Sequence, residues 1–134
     1  RVLDLSRNPQ VTDWSALAGC TALRVLDLSR CHEVSDLSAL TGCAELHTLN
    51  LSYSSLTDLS VLVGFAKLHT LDLGSIGGLT DVSPLAGCLT LHTLSLACCR
   101  GLTAISPLAG CPALHKLSFF GCRVTDVSAL ADCA

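Results

Sequence analysis

Short blocks of alternating apolar and polar residues recur along the whole chain. "LHTLNLSYS" at 46–54, "LHTLDLGSI" at 68–76 and "LHTLSLACC" at 91–99 place leucine at the same three positions. Apolar residues at every second position are typical of a short β-strand with one buried face. Each block then runs into glycine, serine or other small residues. The pattern therefore predicts one strand per block, ended by a turn.

A second motif follows each predicted strand, as in "LTDVSPLAGC" at 79–88 and "LTAISPLAGC" at 102–111. Serine before proline, at Ser83 and Ser106, predicts a capping hydroxyl ahead of proline at the first helical position. Because glycine comes only a few residues later, we expect a 3₁₀ turn here rather than an α-helix.

The two motifs together form a repeating unit of 22 or 23 residues. Equivalent leucines open five of the units, at Leu23, Leu46, Leu68, Leu91 and Leu114. We assign a single array of about six repeats, near 1–22, 23–45, 46–67, 68–90, 91–113 and 114–134. A unit this small cannot bury its own apolar face, so we expect the units to stack around a continuous core. Because the chain contains no Met, we also expect it to be an excerpt of a longer array.

These motifs resemble the leucine-rich repeat family, LxxLxLxx(N/C)x(x)L, over essentially the whole chain. The second half of the unit most resembles the short 22-residue type found in internalins and protein phosphatase regulatory subunits. The abundance of cysteine also resembles repeats common in large proteins of kinetoplastid protozoa. The resemblance implies an α/β solenoid, right-handed and curved, with a parallel β-sheet on its concave face and 3₁₀ turns and loops on its convex face.

The nine cysteines fall mainly on two repeated positions. One position is apolar in every unit, occupied by Cys20, Cys43, Phe65, Cys88, Cys111 and Cys133. The other is the family's Asn position, held by Asn8 and then by Cys31, Cys99 and Cys122. There we expect the side chain to point inward to backbone groups at the bend. Disulfides between adjacent turns stay possible, because neighbouring turns lie about 5 Å apart.

We favour free thiols, and hence a reducing, cytoplasmic compartment. The chain has no CxxC motif, which disfavours a zinc site, and we expect neither metal nor cofactor. Only 14% of residues are charged and the net charge is -3, so nothing draws the chain to nucleic acid or anionic lipid. The uncharged stretch 82–99 holds Pro84 and Gly87 and alternates like a strand, so we expect no membrane insertion.

Polar residues between the buried leucines should face outward from the concave sheet. The first two turns place Arg beside Asp across this face, and the last two turns become neutral and then apolar. The candidate protein-binding residues are Asp4, Arg7, Arg24, Asp27, Arg30, Asn50, Tyr53, Asp72, Lys116 and Phe120. A partner with one charged end and one apolar end would fit. The alternative is that these are solvated strand positions joined by cross-strand ion pairs.

Two further columns of polar residues repeat at fixed positions. The first, at the start of the strands, contains His47, His69, His92 and His115, with rings expected about 5 Å apart. A metal ladder or a pH-sensitive edge is possible there, but we favour simple inheritance of the repeat. The second contains Asp13, Asp36, Asp58, Asp81 and Asp126. Capping of the 3₁₀ turns explains these acids, and docking of a basic partner is the alternative.

No catalytic motif of the GxSxG, HExxH or phosphate-loop type occurs in the chain. Serine, histidine and aspartate form repeated columns instead of one convergent pocket. We therefore expect a non-enzymatic module that binds a protein partner through its concave sheet. The alternatives are a building block or spacer within a large cytoskeletal or ribonucleoprotein assembly, and a regulatory segment of a larger enzyme.

Overall fold

The computed structural model describes residues 1–131, in which six short strands alternate with six 3₁₀ helices. The strands are Val2–Asp4 (β1), Val25–Asp27 (β2), Thr48–Asn50 (β3), Thr70–Asp72 (β4), Thr93–Ser95 (β5) and Lys116–Ser118 (β6). The helices are Ser15–Gly19 (η1), Ser38–Leu40 (η2), Ser60–Gly64 (η3), Ser83–Gly87 (η4), Ser106–Gly110 (η5) and Ser128–Leu130 (η6). The predicted succession of one strand and one 3₁₀ turn per repeat is confirmed.

The six strands form one parallel sheet in sequence order, β1 to β6. Equivalent residues of neighbouring repeats are partners, so Leu26 lies beside Leu3 on one side and Leu49 on the other. The backbone pairing continues past the strand ends, where Leu51 donates its N–H to the Asp72 carbonyl at 2.8 Å. The repeats thus stack as the flat coils of a solenoid, with the sheet along its concave side.

A column of leucine and cysteine side chains fills the solenoid, as the repeat predicts. Leu49, Leu71 and Leu94 are at most 1% exposed. Each such side chain contributes about 1.5–3 kcal/mol through burial. Other repeated apolar positions are more open in the outermost turns, with Val11 37% and Val127 52% exposed, because each of these turns has a neighbouring turn on one side only.

An aspartate, and not the following serine, caps the 3₁₀ helices. Ser83 and Ser106 are the first residues of η4 and η5, so the predicted capping hydroxyl ahead of the helix is wrong. Instead, Asp81 accepts the Ser83 backbone N–H at 2.8 Å. Hydrogen bonds from the side chain and backbone of Ser83 lower the pKa of Asp81.

The same bond recurs at Asp13, Asp36, Asp58 and Asp126, each of which accepts the N–H of the serine two residues later. The capping interpretation of this acidic column is therefore confirmed. The fifth turn has Ala104 at the equivalent position and begins η5 without a carboxylate.

Inward-pointing thiols at the bend join the second, fifth and sixth turns to the turn before them. Cys31 donates its thiol to the Leu5 carbonyl at 3.2 Å, and Cys99 and Cys122 donate in the same way. These contacts confirm that cysteine replaces the family's asparagine at the bend. In the first turn, Asn8 donates its side-chain amide to the Leu5 carbonyl at 2.8 Å.

The second cysteine position packs in the core. Cys43 is 0% exposed and donates its thiol to the Leu17 carbonyl at 3.4 Å. Burial, with a smaller contribution from Cys111, raises the pKa of Cys88 to about 11. Within the described part of the chain, the free thiols include Cys20, Cys31, Cys43, Cys88, Cys98, Cys99 and Cys122. The predicted core position Cys133 lies outside the described residues.

Candidate functional site

The concave sheet carries a column of oriented acidic and amide side chains. Asp4, Asp27, Asn50 and Asp72 occupy equivalent positions on four adjacent strands. A side-chain oxygen of each accepts a backbone N–H two residues later, at distances between 2.8 and 3.0 Å. Asn50 also donates its amide to Asp27 Oδ2 at 3.3 Å. These hydrogen bonds hold the column in one orientation.

The predicted Arg–Asp pairs across this face are wrong. In the described residues the ion pair that forms is Lys67–Glu45, at 2.5 Å, and it lies beside the sheet. The reason is local, because the backbone amides of Ser6 and Ser29 hold Asp4 and Asp27. Arg7 and Arg30 instead stand beyond the strand ends.

The residues just after the C-terminal ends of the strands form a row that we call the exit edge, and this row has an unusual backbone. Arg7, Arg30, Tyr53, Ser75 and Cys98 all have φ between 58° and 62°, in the left-handed region, and Gly121 takes the same place in the sixth turn. Such a conformation is unfavourable for residues with a Cβ. It is held by hydrogen bonds between turns, such as the 2.8 Å bond from the Arg30 N–H to the Ser52 carbonyl.

Arg30 and Tyr53 interact directly along the exit edge. The centre of the Arg30 guanidinium lies 4.4 Å from the centroid of the Tyr53 ring. A cation–π contact at an exposed site contributes about 0.5–1 kcal/mol, and here it fixes the direction of the guanidinium. Sequence reasoning named both residues but missed their contact, because it paired arginine with aspartate. The exit edge thus presents an aromatic ring and an oriented guanidinium together.

The row just before the N-terminal ends of the strands, which we call the entrance edge, carries a stack of imidazole rings. His47, His69, His92 and His115 are nearly parallel, with centroids 4.9, 4.6 and 4.5 Å apart and interplanar angles of at most 10°. The predicted spacing of about 5 Å is confirmed. The Nδ1 atoms of His69 and His92 lie 3.2 and 3.3 Å from the hydroxyls of the threonines that follow them. Desolvation, and then the charges of His115 and His69, lower the pKa of His92.

The remaining candidates mark the two ends of the face. Lys116 begins β6 and is exposed, and Phe120 is 78% exposed, as the apolar character of the last turn predicts. Val2, which we did not single out, is 74% exposed on β1. Arg24 precedes the histidine column in the neighbouring repeat, and its backbone carbonyl accepts the His47 N–H at 2.8 Å. The face therefore has apolar side chains at both ends and polar side chains between them.

Chemically, these columns offer recognition groups at fixed intervals. Serine, histidine and aspartate lie in separate rows, so they do not converge on one atom as a catalytic triad does. Within residues 1–131, no group of three or more His, Cys, Asp or Glu side chains is arranged to hold a metal ion. No helix in the same range is long and apolar enough to cross a membrane.

Comparison with known proteins identifies the repeat. Residues 1–42 match the family model "Leucine Rich repeats (2 copies)". An internalin C2 from Listeria monocytogenes is 33% identical, with a TM-score of 0.88 over 98% of this chain and 57% of that one. The chain belongs to the leucine-rich repeat family, with repeats of the short type. The predicted leucine-rich repeat solenoid and its internalin-like repeat are thereby confirmed.

Two other leucine-rich repeat structures are similar to the chain. The Listeria monocytogenes internalin inlF is 27% identical, with a TM-score of 0.90 over 98% of this chain and 38% of that one. A leucine-rich repeat protein of Leptospira interrogans is 19% identical, with a TM-score of 0.83 over 99% and 36%, and shares the fold. The chain thus spans 36–57% of the length of these proteins. No curated protein sequence matches it at a significant level.

Proposed function

We propose that this leucine-rich repeat array is a non-enzymatic interaction module that binds a protein partner through its concave sheet. One observation carries the proposal: the sheet presents aligned columns of oriented polar side chains on a backbone fixed by hydrogen bonds between turns. Groups that are already ordered lose little conformational entropy when a partner binds. The leucine-rich repeat fold, commonly a protein-interaction module, supports the same function.

The distribution of side chains indicates the chemistry of the partner. Arg7 and Arg30 carry positive charge near one end, and Phe120 supplies an exposed aromatic ring at the other. Six strands at about 4.8 Å spacing span roughly 24 Å, the length of about seven extended residues. A segment with acidic groups at one end and an apolar residue at the other matches this face in charge and length. We expect a protein segment rather than nucleic acid, since the chain as a whole carries a net charge of -3.

A role as a building block held by its convex side is the second candidate. It is favoured by the acidic column and by a shallow groove between η2 and η3, bordered by Asp36, Ser38, Asp58 and Ser60. One oxygen of each aspartate already accepts a backbone N–H, which gives the column a structural role. The concave sheet remains the stronger candidate because its exit-edge arginines lack carboxylate partners within residues 1–131.

A photo-crosslinking residue locates the binding face. We would place it at Thr93, an outward position of β5, and separately at Thr103, an exposed position outside the sheet. In an extract of the source cells, the Thr93 variant should crosslink a partner that the Thr103 variant does not. Crosslinking from Thr103 with none from Thr93 contradicts binding through the concave sheet and favours the convex side.

Alanine substitutions then test the named residues against the crosslinked partner. Replacing Arg7, Arg30 and Tyr53 together should weaken its binding about 100-fold, if each truncation removes about 1 kcal/mol. The matched control replaces Arg100 and Arg123, two exposed arginines outside the strands. Equal affinity of the triple variant and the wild-type chain refutes the assigned contacts, provided that both melt at the same temperature.

A further inference from the structure

The entrance edge of the sheet has a continuous side-chain column that the proposed function does not explain. It runs through Arg1, Arg24, His47, His69, His92 and His115. Each residue after Arg1 donates its backbone N–H to the carbonyl of the one before it, from Arg24 to Arg1 at 2.9 Å through to His115 to His92 at 2.9 Å. Two arginines and four stacked imidazoles therefore follow one another at the spacing of the strands.

We propose that this entrance edge is a proton-gated docking strip for an acidic polypeptide segment of the partner. The inference rests on the proposed function, because it names the chemistry of the partner at one edge of the same sheet. It adds that docking tightens when the four histidines become protonated.

The charges around the strip fit an acidic ligand. Arg1, Arg24, Lys67 and Lys116 lie along the entrance edge, against one carboxylate, Glu45. Lys67 already pairs with that carboxylate at 2.5 Å. The whole chain has a net charge of -3, so this strip is positive on a molecule that is otherwise acidic. Charge complementarity of this kind steers and orients a partner.

The neighbours of each histidine determine how the column titrates. His47 has Arg24, Glu45 and Lys67 near it, while Lys116 directly follows His115. The loops before β5 and β6 place uncharged residues, including Thr90 and Ala113, at the positions of Glu45 and Lys67. On the sheet itself, threonines at the start of β3, β4 and β5 separate the histidines from the carboxylates of Asp27 and Asp72. The nearest titratable neighbours of the central rings are therefore the adjacent rings of the column.

Stacking makes protonation and binding of an acid cooperative. Positive rings less than 5 Å apart repel one another, and after desolvation, the largest cause, the charges of His115 and His69 lower the pKa of His92. Histidine ordinarily changes charge near pH 6.5, so such a column adds positive charge to the strip as the pH falls from 7.5 to 5.5. A row of carboxylates along the column offsets the repulsion, and by linkage protons must then tighten the binding of that row.

Two other ligand classes fit this geometry less well. The rings stack face to face, and within residues 1–131 no three His, Cys, Asp or Glu side chains converge on one metal ion. A nucleic acid carries a phosphate at every step, and its backbone would meet the column of Asp4, Asp27 and Asp72 on the same face. A polypeptide can place carboxylates on one side only.

The test measures the affinity of fluorescein-labelled deca-aspartate by fluorescence anisotropy at pH 7.5 and pH 5.5, at constant ionic strength. Aspartate stays ionised at both values, since its unperturbed pKa is about 3.9. The wild-type chain should bind at least tenfold more tightly at pH 5.5. A variant with glutamine at His47, His69, His92 and His115 should change by less than twofold.

The matched control is His32→Gln, which removes an exposed histidine outside the column and should keep the wild-type pH dependence. If the fourfold variant unfolds, the pair His47→Gln and His115→Gln, at the two exposed rings, should reduce the dependence by itself. Titration of the imidazole Cε1–H resonances by NMR should show raised histidine pKa values when deca-aspartate is bound.

Three results overturn the inference. Wild-type affinity that is equal at both pH values removes the proton gate. Tighter binding of a labelled ten-nucleotide thymidine strand assigns the strip to nucleic acid, and stoichiometric Zn²⁺ binding that is lost in the glutamine variant assigns it to a metal. Crosslinking through Thr93 without any pH dependence leaves the proposed function standing while this inference fails.

Discussion

Replacing Ser54 by cysteine should stabilise the array. Ser54 is 7% exposed, and among residues 1–131 its hydroxyl has no hydrogen-bond partner. Its equivalents Cys31 and Cys99 each donate a thiol to a carbonyl of the preceding turn, at 3.2 and 3.1 Å. The corresponding acceptor for position 54 is the Leu28 carbonyl, which the shorter carbon–oxygen bond of serine does not reach.

A buried hydroxyl without a partner costs about 1–3 kcal/mol. The thiol is less polar and fills more of the core, so Ser54→Cys should raise the free energy of unfolding by about 1 kcal/mol. Ser54→Ala removes the same hydroxyl but leaves a small gap, so its effect should lie between zero and about 1 kcal/mol of stabilisation. The reciprocal change, Cys99→Ser, should destabilise by about 1–2 kcal/mol.

Urea unfolding followed by circular dichroism measures these changes as shifts of the transition midpoint with an unchanged slope. A reducing agent must be present throughout, because position 54 adjoins Cys31 of the preceding turn and the two could form a disulfide. Destabilisation by Ser54→Ala of more than about 1 kcal/mol would refute the reasoning, since it would mean that the hydroxyl has a partner.

The other predictions concern the caps, the thiols and the response to acid. Ala104→Asp should restore the missing cap of η5 and raise stability by about 0.5–1 kcal/mol, whereas Asp81→Ala should lower it by about 1 kcal/mol, both by urea titration. With a thiol reagent at pH 8, half-buried Cys98 should react faster than buried Cys88, whose pKa is about 11; equal rates would contradict the burial of Cys88. The capping aspartates have lowered pKa values, so their stabilisation is present above pH 3.8 and is lost as the pH falls below it, which melting curves at pH 5 and pH 3 should show. The pKa of His92 in the folded chain lies below 6.5, so between that pKa and 6.5 the unfolded chain binds more protons than the folded chain. Stability should therefore fall as the pH drops below 6.5, and it should fall less in His92→Gln.

The fold was predictable because each structural position recurs in several repeats of the sequence. A single leucine such as Leu71 could belong to a strand or a helix, but six aligned copies of its position fix the period and the inward direction. The same redundancy identified the cysteines at the bend, since Asn8 occupies their position in the first turn. Equivalent positions must share one environment when identical units stack.

The details of the candidate site were less predictable, because they depend on which of several neighbours a side chain contacts. The sequence places Arg30 and Asp27 on one face, but it does not reveal that the Ser29 amide holds the carboxylate. Nor does it show that the guanidinium lies over Tyr53, a residue of the next turn. The misplaced cap at Ser83 has a similar origin, because serine and aspartate are both good caps and the helix began one residue earlier than expected.

At the exit edge, the left-handed backbone conformation, and with it the shape of the array, does not depend on which side chain is present. Five different residues, from Arg7 to Cys98, share nearly the same φ there, so the hydrogen bonds between turns impose the conformation whatever the side chain. Gly121 adopts it without the steric penalty, of roughly 1 kcal/mol, that the others bear. Substituting glycine along this row should therefore raise the stability of the fold while removing the side chains that a partner could contact. Conversely, the side chain at this position can be changed in one repeat at a time, and binding specificity with it, without disturbing the solenoid.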